Sequence, residues 1–298
     1  MVRAVGAAAS SRIAGRRRRP RAGGGGDHVR LYDPAVATKQ ERRAELTAVY
    51  REARACTRCP ELARTRTQVV FGAGNADADL MFVGEAPGAK EDEQGIPFVG
   101  AAGKLLDQLL AEVGLARSDV FIANVLRCRP PGNRDPLPME IENCSDYLMR
   151  QVELIQPRVI CTLGNFSTKL LRGDPTGITR LHGQAEILVI GARAVRLYPL
   201  FHPAAALYTR SLLETLQADF ARLPALLALD PPEQPEQPEP PAPPEPAVPE
   251  PELAAQDRGP TPPEPEYPPG PAPGPVPAFE PLPVPEPDGP DDRQLGLF

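Results

Sequence analysis

The chain has 298 residues, 40 of them proline, and a net charge of −6, which rules out a uniformly basic nucleic-acid-binding body. No stretch offers the ~18–20 apolar residues that a bilayer span requires. Five cysteines without a secretory signal argue for a reducing compartment rather than a disulfide framework. Charge divides along the chain. Residues 1–30 carry eight arginines against one aspartate, and the segment from Asp230 onward carries fifteen acidic residues against two basic ones, so the stretch between them balances. We therefore divide the chain into a basic low-complexity arm (1–36), a folded domain (37–228), a Pro/Glu-rich tail (229–293) and a terminal peptide (294–298). Arm and tail are expected to be disordered, because they cannot bury enough apolar area to offset the cost of ordering.

In chain order, Ala37 to Arg54 reads as a helix leading to Cys56. The run 79–83 (DLMFV) is a strand feeding the loop at Gly84. Residues 102–113 place Leu105, Leu106, Leu109, Leu110 and Val113 at helical spacing. A second strand covers 119–125. A helix runs from Pro138 to Leu154, with proline in its first turn. A third strand over 158–164 is followed by a short helix, 165–171. A strand pair is expected at 186–190 and 195–201, then one amphipathic helix from Tyr208 to Leu227. Strands apolar on both faces, alternating with helices, predict a three-layer α/β/α sandwich around a mainly parallel sheet. The site is then expected at the carboxyl ends of the strands, with Gly84-Glu85, Asn124 and His202 on one edge.

Cys56 and Cys59 form C-x2-C, and Cys128 and Cys144 follow further on. Four thiolates from separated segments can enclose one metal centre, but the spacing does not separate zinc from a [4Fe–4S] cluster. Nearby Arg54, Arg58, Arg127 and Arg129 would offset the thiolate charge. Cys161, inside a strand, reads as a small buried hydrophobe.

Three motifs in order, GEAPGAKEDEQGIPFVGAAG, NVLRCRPPGNRDP and LFHPAAAL, together with C-x2-C…C-x15-C, resemble the family 4, iron–sulfur type of uracil-DNA glycosylase over about residues 40–225. The resemblance implies hydrolysis of the N-glycosidic bond of deoxyuridine in DNA. It also implies a structural [4Fe–4S] cluster on Cys56, Cys59, Cys128 and Cys144, with zinc ranked second. Uracil-containing DNA is then the partner, and a monomer in a bacterial cytoplasm, associated with the nucleoid, is expected. The alternative is a metal-cluster DNA-binding or covalent uracil-capturing relative without turnover. The capturing relatives carry a histidine-bearing insertion, and NVLRCRPPGNRDP has no histidine.

The chemistry of such a reaction suits these residue types. A flipped base needs a flat wall, for which Phe98 is the candidate. Asn124 can accept from uracil N3–H and donate to O4, a pattern that cytosine reverses. His202, followed by Pro203, can donate a hydrogen bond to charge growing on the base O2, as a neutral imidazole if a helix N-terminus disfavours its cation. The loop Glu85, Ala86, Pro87, Gly88 is expected against the uracil carbonyls. Ala86 and Gly88 stand where family 1 glycosylases carry an aspartate and a tyrosine, so no catalytic aspartate carries over. Glu91 is expected to wall off the methyl position, and Glu85 or Glu91 to place water. The segment Arg127 to Arg134 and the residues Tyr208, Thr209 and Arg210 are candidates for phosphate contact or intercalation.

The chain ends Gln294-Leu295-Gly296-Leu297-Phe298. QLGLF resembles the pentapeptide by which bacterial DNA-processing proteins dock on the replication sliding clamp. A polyproline tether rising about 3.1 Å per residue would let such a peptide reach about 200 Å from the domain.

Overall fold

The computed structural model describes residues 37–235 and a two-residue strand, Arg3–Ala4 (β1). The remainder of the basic arm, most of the tail and the terminal peptide lie outside the described residues. A seven-stranded sheet runs β1-β6-β7-β5-β3-β4-β2, with β2 Ala73–Gly74, β3 Leu80–Gly84, β4 Val120–Asn124, β5 Val159–Leu163, β6 Glu186–Ile190 and β7 Arg193–Leu200. The central strands β7, β5, β3 and β4 are mutually parallel, while β6 and β2 are antiparallel to their neighbours β7 and β4.

Alternation along the strands builds two cores. Met81, Val83, Phe121, Ala123 and Ile160 join one cluster, under helices α1 (Lys39–Arg54) and α5 (Pro138–Ile155). Leu80, Phe82, Val120, Ile122 and Cys161 join the other, under α4 (Ala101–Glu112) and α9 (Arg210–Phe220). This is the expected three-layer sandwich, with Cys161 packed as an apolar side chain. Its thiol is pushed well above the ordinary range by burial.

The local causes are plain in the chain. α1 starts at Lys39 rather than Ala37 because Thr38 and Glu41 form a reciprocal capping box: Thr38 Oγ1 accepts from Glu41 N–H at 3.2 Å, and the Glu41 carboxylate accepts from Thr38 N–H at 2.7 Å. Its buried face is Leu46, Val49, Tyr50 and Ala53, a helical i, i+3, i+4, i+7 stripe. The expected single helix from Tyr208 to Leu227 is instead two, α9 and α10 (Leu223–Ala228). Pro224 has no amide hydrogen for the carbonyl four residues back, so it opens a new helix rather than continuing the old one. Short helices complete the chain: α2 (Pro60–Thr65), α3 (Ala89–Gln94), α6 (Asn165–Arg172), α7 (Ile178–Leu181) and α8 (Pro203–Ala206).

The parallel register delivers the site. Gly84 pairs with Asn124 across β3 and β4, and β7 runs the same way and ends at Leu200, two residues before His202. Three strand exits therefore open on one edge of the sheet.

Candidate active site

One cavity of about 250 Å³ lies at that edge, lined by Glu85, Ala86, Pro87, Gly88, Glu91, Phe98, Asn124 and His202 among others. Every pocket residue singled out in the sequence thus reaches the same cavity. Asn124 is 2 % exposed, and its side-chain oxygen Oδ1 has no hydrogen-bond partner. A buried amide oxygen left unpaired costs free energy, and this one faces a space that a ligand can fill. Gly84 makes the space: a Cβ there would stand 2.4 Å from Asn124 Oδ1 and 2.8 Å from the Phe98 ring.

The Phe98 ring stacks on the His202 imidazole, with centroids 5.6 Å apart and planes at 27°. Phe98 itself sits at φ 55°, a left-handed conformation unusual for a large side chain. Arg117 holds it there, donating to the carbonyls of Pro97 (2.8 Å) and Phe98 (2.6 Å) while its Nε pairs with Asp107.

His202 Nδ1 accepts the backbone N–H of Ala204 at 3.1 Å. An amide can only donate, so the ring proton of the neutral imidazole sits on Nε2. Burial pulls the His202 pKa down to about 4, against a smaller upward pull from the Glu91 carboxylate. The imidazole is therefore neutral near pH 7. Burial is the leading cause, rather than the helix terminus expected from Pro203; α8 is only four residues long.

The two carboxylates differ. Glu91 Oε1 accepts from Val99 N–H (3.0 Å) and Gly100 N–H (2.9 Å), which fixes the side chain as a wall. The Glu85 pKa is raised, chiefly by burial and further by the Asp135 carboxylate. Asp92 is buried and accepts the Thr67 N–H, outside the cavity lining.

Sequence reasoning missed part of the lining. Pro130, Asn133 and Arg134 close the cavity from the loop after β4, with Arg134 held bidentately by Glu140 (2.9 and 2.7 Å) and paired with Glu61 (2.8 Å). The motif RPPGNRDP carries these residues, but no local pattern shows which way the loop folds. Arg127 is a correction. It is 1 % exposed, so it cannot grip a phosphate. His182, away from the cavity, pairs with Asp219 at 2.8 Å and packs on Phe201. Tyr208, just past the pocket, is 91 % exposed.

The four cysteines Cys56, Cys59, Cys128 and Cys144 line a second, small cavity, and none of them is in a disulfide. Each sulfur meets a donor. The Arg127 amide points at Cys144 Sγ (3.3 Å), Arg66 Nη1 at Cys128 Sγ (3.2 Å) and Asn143 Nδ2 at Cys59 Sγ (3.6 Å), while Tyr147 and Arg58 serve Cys56. Burial pushes Cys128 up to about 11 and raises Cys59 and Cys144 as well, so a bound cationic centre is what would keep these sulfurs ionised. Among the described residues no three Cys, His, Asp or Glu side chains converge closely enough to hold one metal ion.

Against this geometry, comparison with known proteins gives a consistent result. A family model described as the uracil DNA glycosylase superfamily matches residues 71–224. A Type-4 uracil-DNA glycosylase of Archaeoglobus fulgidus is 46 % identical over 185 residues, 61 % of this chain and 92 % of that protein. Those of Sulfurisphaera tokodaii (45 % over 186 residues, 61 % and 84 % of the two chains) and Thermotoga maritima (44 % over 171 residues, 57 % and 87 %) are similar to it as well.

Proposed function

This chain belongs to the uracil DNA glycosylase superfamily, and on that premise we propose that its pocket excises uracil from DNA, leaving an abasic site. The observation that carries the reading is the buried, unpartnered oxygen of Asn124 opposite Phe98 and His202.

A base in a duplex is out of reach, so the nucleotide is flipped into the cavity. Phe98 supplies the flat wall. Asn124 Oδ1 accepts uracil N3–H and its Nδ2 donates to O4; cytosine presents the opposite pattern and leaves both groups unpaired, at about 1–3 kcal/mol each. The C1′–N1 bond then breaks, with both electrons leaving on N1. His202 Nε2–H donates to the O2 on which that charge grows, a preorganised donor of the kind worth about 10²–10³ in rate. Water adds to C1′, and its proton passes to the Glu85 carboxylate, which must be ionised to receive it. Glu91, fixed by two amides, closes the wall where a thymine methyl would project. Tyr208 then fills the gap left by the flipped base; its exposure, with Leu207 beside it, supports that reading.

Cys56, Cys59, Cys128 and Cys144 are the residues that would hold a [4Fe–4S] cluster. The shared cavity and the similarity to Type-4 uracil-DNA glycosylases support a cluster over a single zinc ion. The group would contribute structure; the hydrolysis calls for no electron transfer.

The first experiment is alkaline strand scission of an oligonucleotide bearing uracil, single-stranded and paired with guanine, with thymine as control. Scission at uracil alone is expected. Asn124→Ala, Phe98→Ala and His202→Ala should each lower the rate by about 10²-fold or more while iron content and the folded signal stay. Absence of scission by iron-loaded protein would favour the binding or covalent-capture reading, with a DNA adduct as its mark.

For the terminal peptide, outside the described residues, the support is the resemblance of QLGLF to clamp-docking peptides. A chain lacking residues 294–298 should keep its glycosylase rate and lose binding to a bacterial sliding clamp; retained clamp binding would refute this assignment.

A further inference from the structure

Arg127 is the largest side chain buried to within 2 % in the described part of the molecule. Arg127 lines the four-cysteine cavity, and its backbone amide donates to Cys144 Sγ at 3.3 Å. It donates through Nη1 to the carbonyl of Asn124 and through Nη2 to Gln151 Oε1 (2.5 Å), and Nε has no partner. Gln151, wholly buried, is anchored in turn on the Phe71 carbonyl (2.9 Å). Neutral acceptors do not offset the cost of burying a cation, which is several kcal/mol unless an anion compensates it. Among the described residues no carboxylate forms an ion pair or hydrogen bond with Arg127, whose neighbours across the cavity lining are the cysteines, Cys128 next in the chain and Cys144 on its backbone amide.

We propose that Arg127 is a positioning residue that ties the cysteine site to the base-reading amide: the anionic cysteine-ligated cluster is its countercharge, and its hydrogen bond to the Asn124 carbonyl fixes the exit of β4. The inference rests on the cluster assignment above and extends it. Its backbone amide meets the Cys144 sulfur (3.3 Å), and its guanidinium holds the backbone of the residue whose side chain reads uracil. The cluster site thereby acts on recognition through a single side chain, over and above its part in holding the fold together. It also explains why an arginine follows β4 at a position closed to DNA. Lysine could keep the charge there but could not reach both the Asn124 carbonyl and Gln151 with a planar fork.

The test uses the full chain, purified anaerobically. Iron and sulfide are assayed first, then the cluster reduction potential, then affinity for DNA carrying a non-hydrolysable uracil nucleotide or its cytosine counterpart. Arg127→Met should retain iron, lower the potential, because a nearby cation stabilises the more negative reduced cluster, and weaken uracil binding about tenfold with cytosine binding unmoved. Arg127→Lys should restore the potential and only part of the uracil affinity. A loaded Arg127→Met with the parental potential, or with parental uracil affinity, overturns the proposal. If Arg127→Met does not fold, Arg127→Lys decides: full parental uracil affinity overturns it, and reduced affinity at the parental potential supports it. Absence of iron from the unmodified chain overturns the cluster assignment itself, and the proposal with it.

Discussion

Glu85 and His202 carry opposite displacements, and together they set the acid side of the pH profile. The Glu85 carboxyl is raised by burial and by the Asp135 carboxylate, so it protonates at a higher pH than an ordinary glutamate and loses its capacity to take a proton from water. His202 is depressed to about 4, below the raised Glu85 carboxyl, so its Nε2–H donor sits on a neutral ring on the plateau above the Glu85 titration. The acid limb of kcat/KM is therefore expected to belong to Glu85 and to lie above the usual carboxylate value. Asp135→Asn removes a repulsion that favours the protonated form, so it should move the limb to lower pH, with little change on the plateau. Glu85→Gln should abolish the limb and slow the reaction about 10²-fold. A limb near pH 6.5 that disappears on His202 substitution would instead place the titration on the histidine and overturn this assignment.

The loop between α3 and α4 shows what an element does for a single side chain. Phe98 holds a left-handed backbone, a strain of about 1–3 kcal/mol that persists only where its surroundings impose it. They do so twice. Arg117 takes two carbonyls, and Gly103 in α4 lets the Phe98 carbonyl approach so closely that a Cβ would stand 1.7 Å from it. Arg117→Met is expected to slow uracil excision about tenfold while circular dichroism stays native, and Gly103→Ala to lower both activity and Tm. Parental activity in Arg117→Met would show that packing alone holds the ring. Neither role was legible in the sequence, where Arg117 reads as one surface charge among many and Gly103 as a weak helix residue. The long helices α1, α4 and α5 were legible, because twelve or more residues repeat an apolar face. The helices α2, α3, α7 and α8, of four to six residues, are too short for a period to appear. Their signals are punctuation: Pro60 opening α2, and Gly95 in the left-handed conformation closing α3. The strand exits at Gly84, Asn124 and His202 were legible as polar ends of apolar runs, and the parallel register then brings them together. Arg127 was misplaced because burial is a property of the loop's path, which local composition does not encode.

At the scale of the molecule, the stretch between the basic arm and the acidic tail balances its charges, so attraction to DNA must come from a few arginines near the pocket rather than from a general field. Not all the arginines there are available. Arg127 is buried, and Arg134 is neutralised by Glu140 and Glu61. Arg210 is different. It is 92 % exposed, two residues beyond Tyr208 at the start of α9, and its partner Glu214 at 3.1 Å is itself mostly in water. Such an exposed pair contributes little and is readily exchanged for another anion. A phosphate contacted by Arg210 would release about one counterion, which makes log Kd depend on log salt with a slope of about 0.9 for that contact. Arg210→Ala is therefore expected to weaken binding to uracil-containing and undamaged DNA alike, to reduce the salt slope by about one, and to leave the single-turnover excision rate at saturating enzyme unchanged. Tyr208→Ala should separate from it, lowering the excision rate while leaving the salt slope as it was, because a side chain that fills the gap beside a flipped base carries no counterion term. An unaltered slope in Arg210→Ala would move the phosphate contact off α9 and onto the exposed arginines Arg54, Arg58 and Arg64 of the cysteine lobe.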